Sequence, residues 1–257
     1  MTASSYPHVV AASVPGLLAL HEDEPLPLAS VGKVLLLARL ARDLAGGVAD
    51  PASRVELRDD DYCGGSGLLT GLSARVWTVA DLALLTASVS DNTATNALIR
   101  TVDLDRVNEG AAELGLSHTR LLDRIREPRG PEHPPAFALG TAGELARLAT
   151  RVGGDETWAR ILRGWMSANT DRALVPALLP HDPEAEEPDG PLPEGVVWVA
   201  NKTGTDTGTR TDVGVIVGRR RLGYAVLAHG PAGSEHALVG EVRDLGLDIG
   251  ALALATD

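Results

Sequence analysis

With 257 residues and 44% hydrophobic side chains, the chain can build a substantial core in one domain or two. A formal net charge of −12 and a pI near 5.0 exclude nucleic acid and an anionic membrane as expected partners, because a phosphate surface needs a basic face. The one cysteine, Cys63, excludes an internal disulfide and a cysteine metal cluster.

The N-terminal stretch lacks a basic segment followed by an apolar one, and no later apolar run reaches membrane-spanning length. The expected location is the cytoplasm, or outside it if a signal has been removed. Apolar runs at 9–13 and 17–20, split by Pro15-Gly16, read as two strands and a turn. An acidic loop, 21–27, then leads to Leu28-Ala29-Ser30-Val31-Gly32-Lys33. From 34 to 44 the sequence is apolar on almost every face until Gly46-Gly47, which predicts a helix surrounded by protein.

Ser30 and Lys33, three apart, share a face of that helix, close enough for the amine to reach the hydroxyl. Burial would disfavour the ammonium and let Lys33 take the Ser30 proton, and the helix N-terminus would stabilise negative charge beside it. A serine three residues before a lysine is common by chance, and the alternative is a helix cap beside a solvated lysine. Composition favours chemistry: of 23 basic residues, only Lys33 and Lys202 are lysine. A compact amine that can lose its proton does what arginine cannot.

Further along, 49–67 reads as mostly loop, with Tyr62, Cys63 and Ser66 as surface residues rather than cleft lining. Thr78-Val79-Ala80-Asp81 has the form of a capping box before Leu82, Leu85 and Val89 at helical spacing. Ser90-Asp91-Asn92 separates that helix from another over 93–102, and is either a solvent-facing junction or a group of donors facing a cleft. A helix is expected over 104–116. The proline-rich stretch 121–139 has no period, and connections of that length are usually functional or mobile.

Thr141-Ala142-Gly143-Glu144 is a second capping box, before Leu145, Leu148 and Val152, and helical pattern continues over 158–166. The acidic segment 181–194 reads as an exposed loop. Runs at 196–200, 212–217 and 222–228 read as an antiparallel meander with turns at 205–208 and 218–220, the second holding the basic run Arg219-Arg220-Arg221. After Ser234, the stripe Leu238, Val242, Leu245, Ile249 and Leu252 predicts a helix covering that sheet. The expected fold class is α/β of the α+β type: a sheet lobe from 1–28 and 195–257 with a terminal helix, an inserted helical lobe over 29–194, and a site between them.

S-x-x-K at Ser30, S-D-N at Ser90 and K-T-G at Lys202 stand in the order and setting of the signature of class A β-lactamases and penicillin-binding proteins, which the chain resembles. Residues 90–96, Gly164-Trp165-Met166 with Asn169-Thr170, and 198–204 extend the resemblance over most of the chain. It implies a β-lactamase-like fold and an acyl-enzyme formed on Ser30, with Lys33 as base or proton shuttle. Ser90 would relay a proton to the leaving nitrogen, and Asn92 would hold the substrate amide. Lys202 would set the field around Ser90 and help bind a carboxylate, with Thr203 donating to it from the Lys202-Thr203-Gly204 strand. The N–H groups of Ser30 and Thr205 would form an oxyanion hole, and Arg210 would bind the substrate carboxylate.

One stretch departs from the family. Class A enzymes carry a loop whose first glutamate activates the deacylating water. Here that loop is Asp123-Arg124-Ile125-Arg126-Glu127-Pro128-Arg129-Gly130, where Glu127 matches the glutamate only if one residue is added; otherwise Arg126 takes its place. Arg124 has no acidic partner near Leu139. The expected function is a serine hydrolase opening β-lactams, with slow deacylation. The alternatives are an esterase or D-alanyl peptidase-like amidase, and a penicillin-binding sensor that stays acylated. The implied partner is a small acyl compound, the expected assembly a monomer, and no metal or organic cofactor is implied.

Overall fold

The structure, a computed structural model, describes residues 8–256. Strands β1 (Val9–Val14) and β2 (Leu18–Leu20) form the expected hairpin, with Gly16 in the left-handed region at φ 76°. Strand β3 (Leu26–Pro27) and a 3₁₀ turn (Ala29–Gly32) lead into helix α1 (Lys33–Ala45), so Ser30 lies on the turn and Lys33 opens the helix. The stretch expected to be loop contains β4 (Arg54–Glu56), paired with β5 (Val76–Thr78).

Helices α2 (Val79–Ser88), α3 (Asn92–Val102) and α4 (Leu104–Glu113) follow. The Thr78 cap is reciprocal: its Oγ1 accepts from Asp81 N at 3.0 Å, and Asp81 Oδ2 accepts from Thr78 N at 3.3 Å. Strands β6 (Arg120–Leu121) and β7 (Ala138–Gly140) bracket the proline-rich stretch and pair with each other, and β7 also pairs with β3. Helices α5 (Ala142–Val152) and α6 (Thr157–Ser167) come next.

The second capping box is only half formed. Thr141 caps Glu144 N, but the Glu144 carboxylate turns to the backbone N–H groups of Ser117, His118 and Thr119. Burial alone would raise its pKa; hydrogen bonds from Thr119, Ser117 and His118 outweigh that and hold it at about 2.

Strands β8 (Trp198–Asp206), β9 (Thr209–Val217) and β10 (Arg221–His229) form the meander, and helix α7 (Glu235–Leu254) closes the chain. β8 extends two residues into the expected turn, to Asp206, leaving the turn at 207–208, and carries Lys202, Thr203 and Thr205 in register with β9. The five-stranded antiparallel sheet has the order β2-β1-β10-β9-β8, joining both ends of the chain. Strand alternation divides its residues between two cores. Ala11, Ala200, Val215 and Leu227 pack toward α1 and the other central helices, while Ala12, Val199, Ile216 and Val226 pack under Leu238, Val242 and Ile249 of α7. No described helix is long and apolar enough to cross a membrane.

Candidate active site

The turn carrying Ser30 is held by close approach. Leu28 N donates to Ala138 O of β7 at 3.0 Å, and Thr211 Oγ1 of β9 donates to Leu28 O at 2.8 Å. A Cβ on Gly204 would lie 2.3 Å from Thr211 Oγ1, 2.6 Å from Leu28 O and 2.8 Å from Val31 N. Glycine there lets the turn press against β8. Ala29, just before the serine, has φ 45°, a strained conformation for a residue with a Cβ. Ser30 sits in the first turn, where N–H groups lack intrahelical partners.

A cleft of about 180 Å³ opens beside it, lined among others by Ser30, Ser66, Ser90, Asp171, Thr203 and Thr205. Thr203 and Thr205, two apart on β8, face it together. Behind the cleft lie the two lysines, both fully buried. Lys33 Nζ reaches Ser90 O at 2.7 Å, Ser90 Oγ at 3.0 Å and Asn92 Oδ1 at 2.7 Å, and makes no hydrogen bond to Ser30. Ser30, on the 3₁₀ turn, and Lys33, opening the helix, stand three apart in sequence, but the amine turns to the S-D-N segment, where acceptors satisfy its N–H groups. Burial first, and then the charge of Lys202, push its pKa well below the ordinary amine range. Lys202 Nζ donates to Thr203 O at 2.8 Å, and burial lowers its pKa to about 8 against the pull of Asp171 and Asp212.

Ser90 has φ 55°, a further strained position in the cleft wall. Asp91, buried next to it, holds it there: Oδ1 accepts from Ala94 N at 2.8 Å, and Oδ2 from Leu68 N at 2.6 Å and Leu69 N at 2.9 Å. Gly67, at φ 111°, has no room for a Cβ against Asp91. Ser66 Oγ donates to Ser90 O at 3.0 Å, which makes Ser66 a cleft residue rather than surface filler. Asn92 is engaged at both ends, accepting from Lys33 and donating to Gly64 O at 2.6 Å. Its amide supports the lysine.

One expected residue lies elsewhere. Arg210 does not line the cleft; its Nη1 donates to the carbonyls of Asp206 at 2.8 Å and Thr209 at 2.6 Å. Glu127 lines a cavity of about 220 Å³ with Tyr62, Cys63 and Asn96, and its Cγ lies 3.8 Å from where a Cβ on Gly65 would stand, a point 3.0 Å from Asn92 Nδ2. Arg126 does not replace it in the Ser30 cleft, because Arg126 Nε and Arg129 Nη1 both bind Asp123, at 2.7 and 2.8 Å. Arg124 takes Asp60 as partner, donating to its carbonyl at 2.6 Å. Asn96 ties this loop to α3 through Ile125 N and O, at 2.8 and 3.1 Å. Among the described residues no cluster of His, Cys, Asp and Glu could hold a metal ion.

Sequence reasoning named Asp91 within S-D-N without giving it a role of its own, and gave Asp171 and Asp212 none. Asp212, buried on β9 opposite Thr203, accepts from Tyr224 Oη at 2.9 Å and Asn201 Nδ2 at 3.1 Å, and is raised by burial to about 7. The helix-start position of Asp91 was a usable signal; the other two depend on distant partners.

The model of the β-lactamase enzyme family matches residues 9–251. The chain belongs to that family. A β-lactamase of Streptomyces fradiae is 32% identical over 207 residues, covering 77% of this chain and 64% of that protein. The chain thus spans less than two thirds of this relative. The crystal structure of a β-lactamase from Sphaerobacter thermophilus superimposes with a TM-score of 0.80 at 26% identity, covering 95% of this chain and 92% of that one. The structure of PBP-A gives 0.76 at 21% identity, covering 96% and 92%, a likeness of fold.

Proposed function

We propose that this family member is a serine hydrolase of the class A β-lactamase type, acylated on Ser30 by β-lactams and slow to deacylate. The observation that carries the reading is Ser30: it faces a cleft with no hydrogen bond from its hydroxyl to the described residues, opposite a Ser90 hydroxyl held on a buried Lys33.

Ser30 Oγ attacks the lactam carbonyl carbon, and its proton passes to the Lys33–Ser90 pair. The neutral amine gives its N–H groups to Ser90 O and Asn92 Oδ1, leaving its lone pair toward the hydroxyl of Ser90. The ring C–N bond breaks, and Ser90 hands a proton to the leaving nitrogen. The N–H groups of Ser30 and Thr205 receive the carbonyl oxygen, each such donor being worth about 3 kcal/mol. Lys202 sets the field from below. Deacylation needs a base beside the acyl carbonyl. The altered 123–130 loop, in which Glu127 matches the family's glutamate only when one residue is added, supports a long-lived acyl-enzyme.

Hydrolysis of a chromogenic cephalosporin and of p-nitrophenyl acetate, with Ser30→Ala as blank, tests the assignment. A Ser30-dependent burst with the cephalosporin is expected. A burst with the ester alone would move the protein to the esterase reading.

A further inference from the structure

Of the described residues lining the Ser30 cleft, Asp171 alone carries a charge. Its carboxylate is fixed from both sides: Oδ1 accepts from Ala173 N at 3.0 Å, and Oδ2 accepts from Thr203 Oγ1 at 2.8 Å. The Thr203 hydroxyl, one of two that the strand presents to the cleft, is therefore already given to an anion. The guanidinium of Arg172, although its charge acts on Asp171, and that of Arg210 both give their hydrogen bonds to other groups. Arg172 donates to Ser167 O at 2.8 Å and Val199 O at 3.2 Å, and Arg210 to the carbonyls of its own hairpin. Lys202 lies buried below, with Asp171 and Asp212 both acting on its charge.

We infer that Asp171 is a specificity-determining residue that selects acyl substrates uncharged or cationic beside the scissile carbonyl, and disfavours those carrying a carboxylate there. A substrate carboxylate brought against Thr203 would meet a fixed like charge and would have to displace it from its only hydroxyl donor. An ester, an amide or an ammonium at the same place meets an acceptor instead. The overall charge of −12 acts in the same direction at long range. The inference rests on Ser30 being the acylated residue, and its test separates the two.

Benzylpenicillin and its methyl ester differ by that one charge. Acylation rate constants of both, followed by intact mass and normalised to their hydroxide hydrolysis, give a preference ratio. The wild-type protein is expected to favour the methyl ester at least about tenfold, and Asp171→Asn to bring the ratio to about two or below. In the wild-type protein the preference should also shrink several-fold between about 0.01 M and about 1 M salt, which serves if the variant does not fold. No preference in the wild type, or the same preference in Asp171→Asn, overturns the inference while leaving acylation intact. Absence of any Ser30-dependent adduct from either compound overturns the hydrolase reading, and the inference with it.

Discussion

Lys33 is joined to Ser90 at two atoms, its Nζ lying 2.7 Å from the carbonyl and 3.0 Å from the hydroxyl. This fixes a buried amine against a hydroxyl that lines the cleft. Lys33→Arg keeps a cation but cannot give up its proton. Ser30 acylation is expected to fall by about 10³-fold or more in Lys33→Arg, the scale of a lost general base, with the folded spectrum retained. Stopped-flow acylation rates check this.

The turn that presents Ser30 depends on the missing side chain of Gly204. Gly204→Ala must push Thr211, Leu28 or Val31 aside, since all three have atoms within 2.8 Å of the new Cβ. A loss of about 1–3 kcal/mol in urea unfolding is expected, with slower acylation because the turn moves away from β8. An unchanged midpoint and rate would place the turn farther from the strand.

Glu144 gives the fold a defined acid dependence. Its pKa falls from 4.5 unfolded to about 2 folded, so its contribution is complete above pH 4.5 and is lost as pH falls through about 2. After allowance for solvent screening this amounts to on the order of 2 kcal/mol. The difference in unfolding free energy between wild type and Glu144→Gln should be full at neutral pH and shrink steadily below pH 4.5. A difference independent of pH would mean that the carboxylate is not held by the 117–119 backbone.

Lys202 sets an alkaline limit. Its charge fades as pH rises through about 8, and with it the field around Ser90 and Thr203. Acylation by an anionic β-lactam is expected to fall with an apparent pKa near 8, and Lys202→Arg should remove that limb. A flat profile to pH 10 would separate Lys202 from the reaction.

Most of the fold was legible because periodicity reports burial. The strands at both ends, the reciprocal cap at Thr78 and the stripe under α7 all follow from local pattern. The serine and the two lysines could be singled out by residue type, whereas the S-D-N segment, open to two readings on its own, was singled out only by the family signature. Local sequence did not show where long side chains turn. Lys33 goes to Ser90 rather than Ser30, Glu144 leaves its own capping box, and Arg210 folds onto its hairpin carbonyls, each following partners remote in sequence or backbone geometry. Asp171 was hidden for the same reason, since it acquires meaning only when Thr203, 32 residues on, is placed against it.

The central claim is that Ser30 forms an acyl-enzyme that outlives its formation. Wild-type protein and Ser30→Ala would be mixed with excess benzylpenicillin and their intact masses followed over time. The account predicts a slowly formed adduct of one penicillin mass on the wild type only, persisting after free penicillin is removed. An adduct on Ser30→Ala, or none on the folded wild-type protein at any penicillin concentration, would contradict it.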